Sequence, residues 1–288
     1  MNALRAIAFA VATLALVPAS ALGGDAGSAA ALRAHFAELA DKLRYNQFRR
    51  PLHLDSRELP EGVSGEIHAY VDQPFSVVGP ALGESSAWCE ILLLHLNTKS
   101  CKRSGAAQET VLHVRIGRKF DQPVDEAYEV DFVHQVATRD AGYLKVVLSS
   151  AQGPLGTHDY RIVLEAAPDG ARTMVHMSYA YAFGALGRMA MNGYLGTAGR
   201  DKVGFSLAAK EGGGAPRLVG GMRGVVERNT MRYYLAIESF LGAQASPAPA
   251  RREKSMGDWV TAVERYPRQL HEMERKDYLD MKRKEYAR

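Results

Sequence analysis

The 288-residue chain is poor in cysteine and tryptophan, with two of each, and aromatic residues make up only 8% of it. Two thiols are too few for a disulfide scaffold or a four-thiolate zinc site. Beyond residue 21 no apolar run is long enough to span a bilayer. A strong excess of one charge is also missing: 36 Lys+Arg stand against 32 Asp+Glu, for a formal net charge of +4 and a pI near 9.0. Residues 1–21 carry Arg5 alone, residues 251–288 carry 11 basic and 8 acidic side chains, and residues 22–250 hold 24 of each. The body is therefore neutral, and no nucleic-acid partner is expected. The sharp catalytic signatures are absent: there is no H-E-x-x-H, no G-x-S-x-G and no G-x-x-x-x-G-K-[ST]. Gly196-Thr-Ala-Gly199-Arg-Asp-Lys202 has the wrong spacing for a phosphate loop and reads as a connector. The nine histidines are scattered, so neither a cofactor nor a metal is expected.

What is present begins with an export signal. Arg5 precedes an apolar run from Ala6 to Val17, then Pro18 and the small-x-small triplet Ala19-Ser20-Ala21. That order predicts a signal peptide over residues 1–21 and a periplasmic or secreted mature protein. In an oxidising compartment Cys89 and Cys101, twelve positions apart, read as a disulfide; two buried thiols remain the alternative.

The spacing of Leu32, His35/Phe36, Leu39 and Leu43 predicts a helix from Ser28 to about Tyr45, and Leu52–Leu59 a short edge strand. Period-2 alternation then dominates: Ile67/Ala69/Val71, Leu112/Val114/Ile116, Tyr128/Val130/Phe132/His134/Val136, Leu144/Val146/Leu148, Tyr160/Ile162/Leu164 and Val175/Met177/Tyr179/Tyr181/Phe183. The short turns between these strands require a mostly antiparallel sheet. Helical spacing interrupts it from Gln73 to Leu94 and again from about Gly224 to Leu241. Gly212–Pro216 is expected to join two short strands, around Val203–Ala208 and Leu218–Met222. Residues 243–254 read as a Pro/Ala linker and residues 255–288 as a charged helical tail.

The opening Ile67-His-Ala-Tyr-Val71-Asp-Gln-Pro74-Phe75-Ser-Val77-Val78, followed by Leu82 and Trp88, resembles the START-like or Bet v 1-like superfamily of polyketide-cyclase-type proteins. Val225–Leu241 resembles its closing helix, and the likeness covers about residues 60–242. It implies an α+β helix-grip fold, in which a curved antiparallel sheet wraps a long C-terminal helix. Residues 22–59, the Gly184–Gly199 insertion and the charged tail are additions to that pattern. The resemblance also implies an apolar cavity between sheet and helix, suited to a hydrophobic small molecule or a lipid.

On that basis the expected ligand wall is Phe132, His134, Tyr179, Tyr181, Phe183, Tyr233 and Ile237, although the same stripe would serve as plain core. Residues 184–235 hold eight basic and three acidic side chains. Arg188, Met189, Met191, Tyr194, Arg228 and Arg232 are the candidates there for a lid or for lipid-headgroup contacts; a solvated helix face is the alternative. Trp259, Val263, Tyr266, Leu270, Tyr278, Met281 and Tyr286 give the tail an apolar stripe that could dock on the body, a partner or a membrane surface. Three functions follow as expectations: a non-enzymatic binder or carrier of a hydrophobic molecule, a cyclase- or hydrolase-type cavity enzyme using a His or Tyr acid/base, or an envelope interaction module acting through the tail. Oligomeric state is left open.

Overall fold

The computed structural model describes residues 28–106, 109–197, 199–208 and 216–288. The expected signal peptide and most of the Gly212–Pro216 turn lie outside these residues. Eight strands form one sheet: β1 (Leu52–Leu59), β2 (Gly62–Val71), β3 (Thr98–Ala106), β4 (Glu109–Ile116), β5 (Tyr128–Arg139), β6 (Leu144–Gln152), β7 (Thr157–Asp169) and β8 (Arg172–Phe183). Their order is β1-β2-β8-β7-β6-β5-β4-β3, with every neighbouring pair antiparallel. Only the β2–β8 pairing joins strands distant in sequence, so the meander that starts at β3 returns to lie beside β2. Register shifts at Thr98/Ser100, Val136/Thr138 and His158/Arg161 mark bulges, which bend a sheet and increase its twist.

Residues 29–44 form α1 (Ala29–Glu38) and α2 (Ala40–Arg44), and Ser28 Oγ caps α1 by accepting from Ala31 N at 3.1 Å. Their apolar side, Leu32, Phe36, Leu39 and Leu43, packs with Tyr143, Ala167 and Met174 on the outer face of the sheet. Between β2 and β3, α3 (Phe75–Gly83) and α4 (Ser85–Leu94) meet at a bend of 89°. Cys89 on α4 and Cys101 on β3 form a disulfide with Cα atoms 5.3 Å apart. Closing so short a loop contributes about 3 kcal/mol. After β8 comes α5 (Ala185–Gly196), then the long α6 (Gly221–Ala243), which crosses the inner face of β2, β1 and β8. Val226, Met231, Leu235, Ile237 and Leu241 are fully buried there, each worth about 1.5–3 kcal/mol against exposure. Gly65 on β2 permits the close approach: a Cβ there would sit 2.4 Å from Thr230 Oγ1 of α6. This is the α+β helix-grip architecture, and among the described residues no single helix is long and apolar enough to cross a membrane.

Three expectations need correction. The strand expected over Leu218–Met222 reduces to a single bridge, Leu207 to Leu218, because Gly221 already opens α6. Tyr128 and Val136, read as sharing the inward face of β5, are exposed; Val130, Phe132 and His134 between them are buried. Tyr128 is the first residue of its strand, and the bulge at Val136/Thr138 breaks the alternation at the other end. The linker expected over residues 243–254 becomes helix at Ala248, where α7 (Ala248–Val263) begins with Pro247 as its cap. Proline suits a helix start and alanine its interior, so Pro247-Ala-Pro-Ala250 opens a helix instead of spacing two units.

The tail continues as α8 (Pro267–Leu270) and α9 (Arg275–Tyr286), and it docks on the body. Trp259 donates its Nε1–H to Arg232 O at 3.1 Å and stacks on Tyr278 with ring centroids 4.8 Å apart. The Tyr278 hydroxyl donates to Leu94 O at 3.0 Å and that of Tyr286 to Glu90 O at 3.1 Å. The apolar stripe of the tail is spent on its own domain: Trp259, Val263, Leu270, Tyr278 and Met281 are buried in the main core, with Tyr266 and Tyr286 packed against it.

Candidate functional site

Period 2 places Tyr179, Tyr181 and Phe183 on the inner face of β8, where they meet rings from three other elements. Tyr160 of β7 stacks on Tyr181 at 5.2 Å, and Phe132 of β5 meets Tyr160 edge-on at 6.2 Å. Tyr179 lies 5.6 Å from Tyr181 and 5.3 Å from Tyr233 of α6, and Tyr233 stacks on His95 at 4.7 Å. One aromatic chain therefore runs from the sheet to α6. The Tyr160 hydroxyl donates to Thr157 Oγ1 at 2.8 Å. The hydroxyls of Tyr179, Tyr181 and Tyr233 make no hydrogen bond among the described residues. Burial raises the pKa of all three phenols, so they stay neutral donors.

Each expected wall residue can be placed. Phe132, His134, Tyr179, Tyr181, Phe183 and Ile237 are buried, and Tyr233 is half-buried. His134 Nε2 has no hydrogen-bond partner, and burial lowers the pKa of the ring. His95 Nε2 is likewise without one, and burial followed by Arg232 and Lys282 keeps that ring neutral. Tyr234, the neighbour of Tyr233, points elsewhere: it donates to Glu238 Oε1 at 2.8 Å and accepts from Arg50 at 3.1 Å. His95 and Tyr160, absent from the expected wall, were legible only as a loop histidine and a strand aromatic.

The expected lid divides. On α5, Arg188 donates to Pro60 O and lies over the Phe183 ring at 5.0 Å. Met191 and Leu195 rest against the core, Met189 is 66% exposed, and the side chain of Tyr194 lies outside the description. Arg228 and Arg232 are not headgroup contacts, being 2% and 1% exposed. Arg228 donates to Val203 O at 3.2 Å, and Arg232 to Glu272 at 2.8 Å. Both are turned inward because the chain after α5 and the tail supply acceptors on that side of α6. Burial opposes the charge of Glu272, but Arg232 and Lys119 outweigh it and hold the carboxyl down at about 2.

Titratable groups also gather away from this interior. On the outer face of the sheet, beneath α1, stand Glu66 and His68 of β2, Glu165 of β7 and His176 of β8. His176 Nδ1 is 2.8 Å from Glu165 Oε2, and its Nε2 is 3.7 Å from Glu66 Oε2. Burial opposes a charge on His176, yet Glu165 and Glu66 prevail and raise its pKa to about 9. Burial and then His176 drive His68 down to about 2. Sequence reading did not join these residues; the sign available to it was histidine at two polar-face positions, 68 and 176, of strands otherwise apolar inward. A second group, His113, Glu129 and Asp131, lies on β4 and β5, with His113 2.7 Å from Asp131 and both carboxylates exposed. The part-buried His176–Glu165 pair therefore sits across the sheet from the aromatic interior. Among the described residues neither His95 nor His134 is hydrogen-bonded to a carboxylate.

An open groove of about 760 Å³ lies between α3, α4, α7 and α9, on the tail side, lined by Glu90, Phe240, Arg252, Met256 and Tyr286 among others. The Arg252–Glu90 ion pair, 3.0 Å, is set in this groove.

No protein-family model matches the chain, and no curated protein matches it by sequence. Among solved structures it is similar to norcoclaurine synthase from Thalictrum flavum, at 13% identity over 51% of this chain and 80% of that one, with a TM-score of 0.33. It is similar to the ZhuI aromatase/cyclase from Streptomyces sp. R1128, at 12% identity over 46% and 70%, TM-score 0.33. Ara h 8.0201 aligns at 10% identity over 67% and 99%, TM-score 0.35. Likenesses this low transfer neither a ligand nor a reaction.

Proposed function

We propose that this chain is an exported binding protein for a largely apolar small molecule carrying hydrogen-bond acceptors, held between β8 and α6. The observation that carries the reading is the cluster of Tyr179, Tyr181 and Tyr233 rings between β8 and α6, whose phenol hydroxyls make no hydrogen bond among the described residues. None of the three hydroxyls is a fully enclosed atom, so each borders accessible space in which a guest can accept its hydrogen bond. The rings touch one another, so the guest enters beneath α5 and turns Tyr181 or Phe183 aside; exposed Met189 marks that helix as partly seated. A binder accounts for the interior better than an enzyme does, because among the described residues no His–carboxylate pair faces it. Carriage of a lipid, and export after cleavage at Ala21, belong to the same proposal.

Purifying the processed protein from its host and subjecting it to native mass spectrometry and solvent extraction tests the reading. An apolar molecule near one per chain is expected, on a protein beginning at Leu22. Rebinding of the extracted molecule should weaken about 2- to 12-fold in Tyr179→Phe, which removes one hydrogen bond and leaves the ring. A folded protein that carries nothing and binds no apolar probe, such as anilinonaphthalene sulfonate, in saturable fashion would overturn it.

A further inference from the structure

The strand register builds a histidine row on the outer face of the sheet. His53 of β1 lies opposite His68 of β2, His68 opposite His176 of β8, and His176 opposite Glu165 of β7. Glu66 stands two residues before His68 and so shares its face. The rings of His68 and His176 are stacked at 4.3 Å, and His35 and Phe36 of α1 cover His68. His68 is only 4% exposed, and its ring makes no hydrogen bond among the described residues. His176 Nε2 is buried without a hydrogen-bond partner, since the 3.7 Å to Glu66 is too long for one.

His176 Nε2 is buried with only a long ion-pair contact to Glu66, and the buried ring of His68 stacked on it makes no hydrogen bond, so the three groups are free to share one ligand. We propose that Glu66, His68 and His176 bind a divalent transition-metal ion of the zinc class on the outer face of the sheet. One ligand atom from each of the three lies within 4.8 Å of the other two. Two ligands of one tetrahedral zinc stand about 3.4 Å apart, so the 3.7 Å from His176 Nε2 to Glu66 Oε2 needs only a small closure.

The outer shell supports the same assignment. Glu165 receives Nδ1–H of His176 on one oxygen and the Tyr143 hydroxyl on the other. That fixes the His176 ring with Nε2 towards Glu66, so a metal ion would displace the Nε2 proton and take the freed lone pair, the carboxylate–histidine arrangement that orients metal ligands. Two nitrogens and one oxygen suit zinc and its neighbours, whereas calcium and magnesium take oxygen. The two rings stand at 11° to each other, so ligation turns them about χ2 until both lone pairs converge. The Glu66 side chain, 34% exposed, leaves a route for the ion and a position for water.

The test is calorimetric titration of Zn²⁺ into the full chain after chelator dialysis, with the visible absorption of bound Co²⁺ as a second probe of geometry. One Zn²⁺ per chain is expected, at least tenfold weaker in His68→Gln and in Glu66→Gln and unchanged in His113→Gln of the second cluster. Glu66→Gln alters a partly exposed side chain, so it remains informative if His68→Gln fails to fold. Absence of saturable binding would overturn the assignment. Equal binding by wild type and Glu66→Gln, or loss of binding in His113→Gln, would overturn it as well.

Discussion

Glu285 offers the sharpest test of how the tail is held. Lys99 of β3 and Lys282 of α9 are both fully buried and share this one carboxylate, at 2.9 Å and 2.7 Å. Their remaining donors satisfy backbone acceptors: Lys282 Nζ reaches His95 O at 2.7 Å and Thr98 O at 2.9 Å, and Lys99 Nζ reaches Leu96 O at 3.0 Å and Phe120 O at 3.1 Å. Replacing Glu285 by Gln leaves two buried ammonium groups without an anion. Removing one partner of a buried pair costs about 3–5 kcal/mol, and that loss is expected in urea unfolding at pH 7. Trp259, stacked on Tyr278 of α9, supplies the fluorescence signal. The pH dependence carries a second sign. Burial, only partly offset by Glu285, lowers Lys282 from 10.5 to about 8. Below pH 8 both states hold the proton; between 8 and 10.5 the unfolded chain holds it and the folded chain does not, so stability rises with pH there. Without the carboxylate that window opens at lower pH, and the deficit of Glu285→Gln should shrink between pH 7 and 9. A deficit below about 1 kcal/mol at pH 7, or one equal at both pH values, would refute this account.

Two other changes probe different joints. Gly65→Ala forces a Cβ against Thr230 and should cost about 1–3 kcal/mol by urea unfolding, with much of the loss recovered in the Gly65→Ala/Thr230→Ala double variant. Glu272, held at about 2 against an ordinary 4.5, contributes stability that is present above pH 4.5 and lost as pH falls towards 2. It amounts to about 3 kcal/mol, so acid unfolding of Glu272→Gln, read by circular dichroism, should show a flatter slope across that window.

Much of the fold was legible because its signals are local. Alternation from Tyr160 to Phe183 placed the tyrosines of one strand on one face, and the tight turns forced antiparallel pairing. The histidine row was not legible, because His68 and His176 are neighbours only through the return of β8 to β2, a pairing that local pattern does not set. Nor was the burial of Lys99, Lys282, Arg228 and Arg232. Long basic side chains ordinarily read as surface, and here carbonyls and carboxylates contributed by distant segments draw them inward. The wall residues Phe132 and Tyr233 were recognisable as apolar-face aromatics, but the absence of hydrogen bonds to their neighbouring phenols could come only from coordinates.

Those inward cations change what the basic segment can recognise. Of its eight basic residues, Arg228 and Arg232 are buried, Lys202 is bound to Glu272, and Arg223 donates to Ser56 Oγ at 3.0 Å. Glu227, fully buried on α6, accepts from Ser56 Oγ and from the backbone N–H groups of Phe205 and Ser206 at 2.5, 2.6 and 2.9 Å, and so ties β1 and the segment after α5 to the helix. Glu227, Glu272 and Glu285 each fasten a seam where an addition to the sheet-and-helix body meets it. The positive excess is therefore structural at several of its residues, and Arg188 on α5 is already paired with Pro60 O. On the proposed reading, a guest held between β8 and α6 is selected by shape and by the phenol hydroxyls.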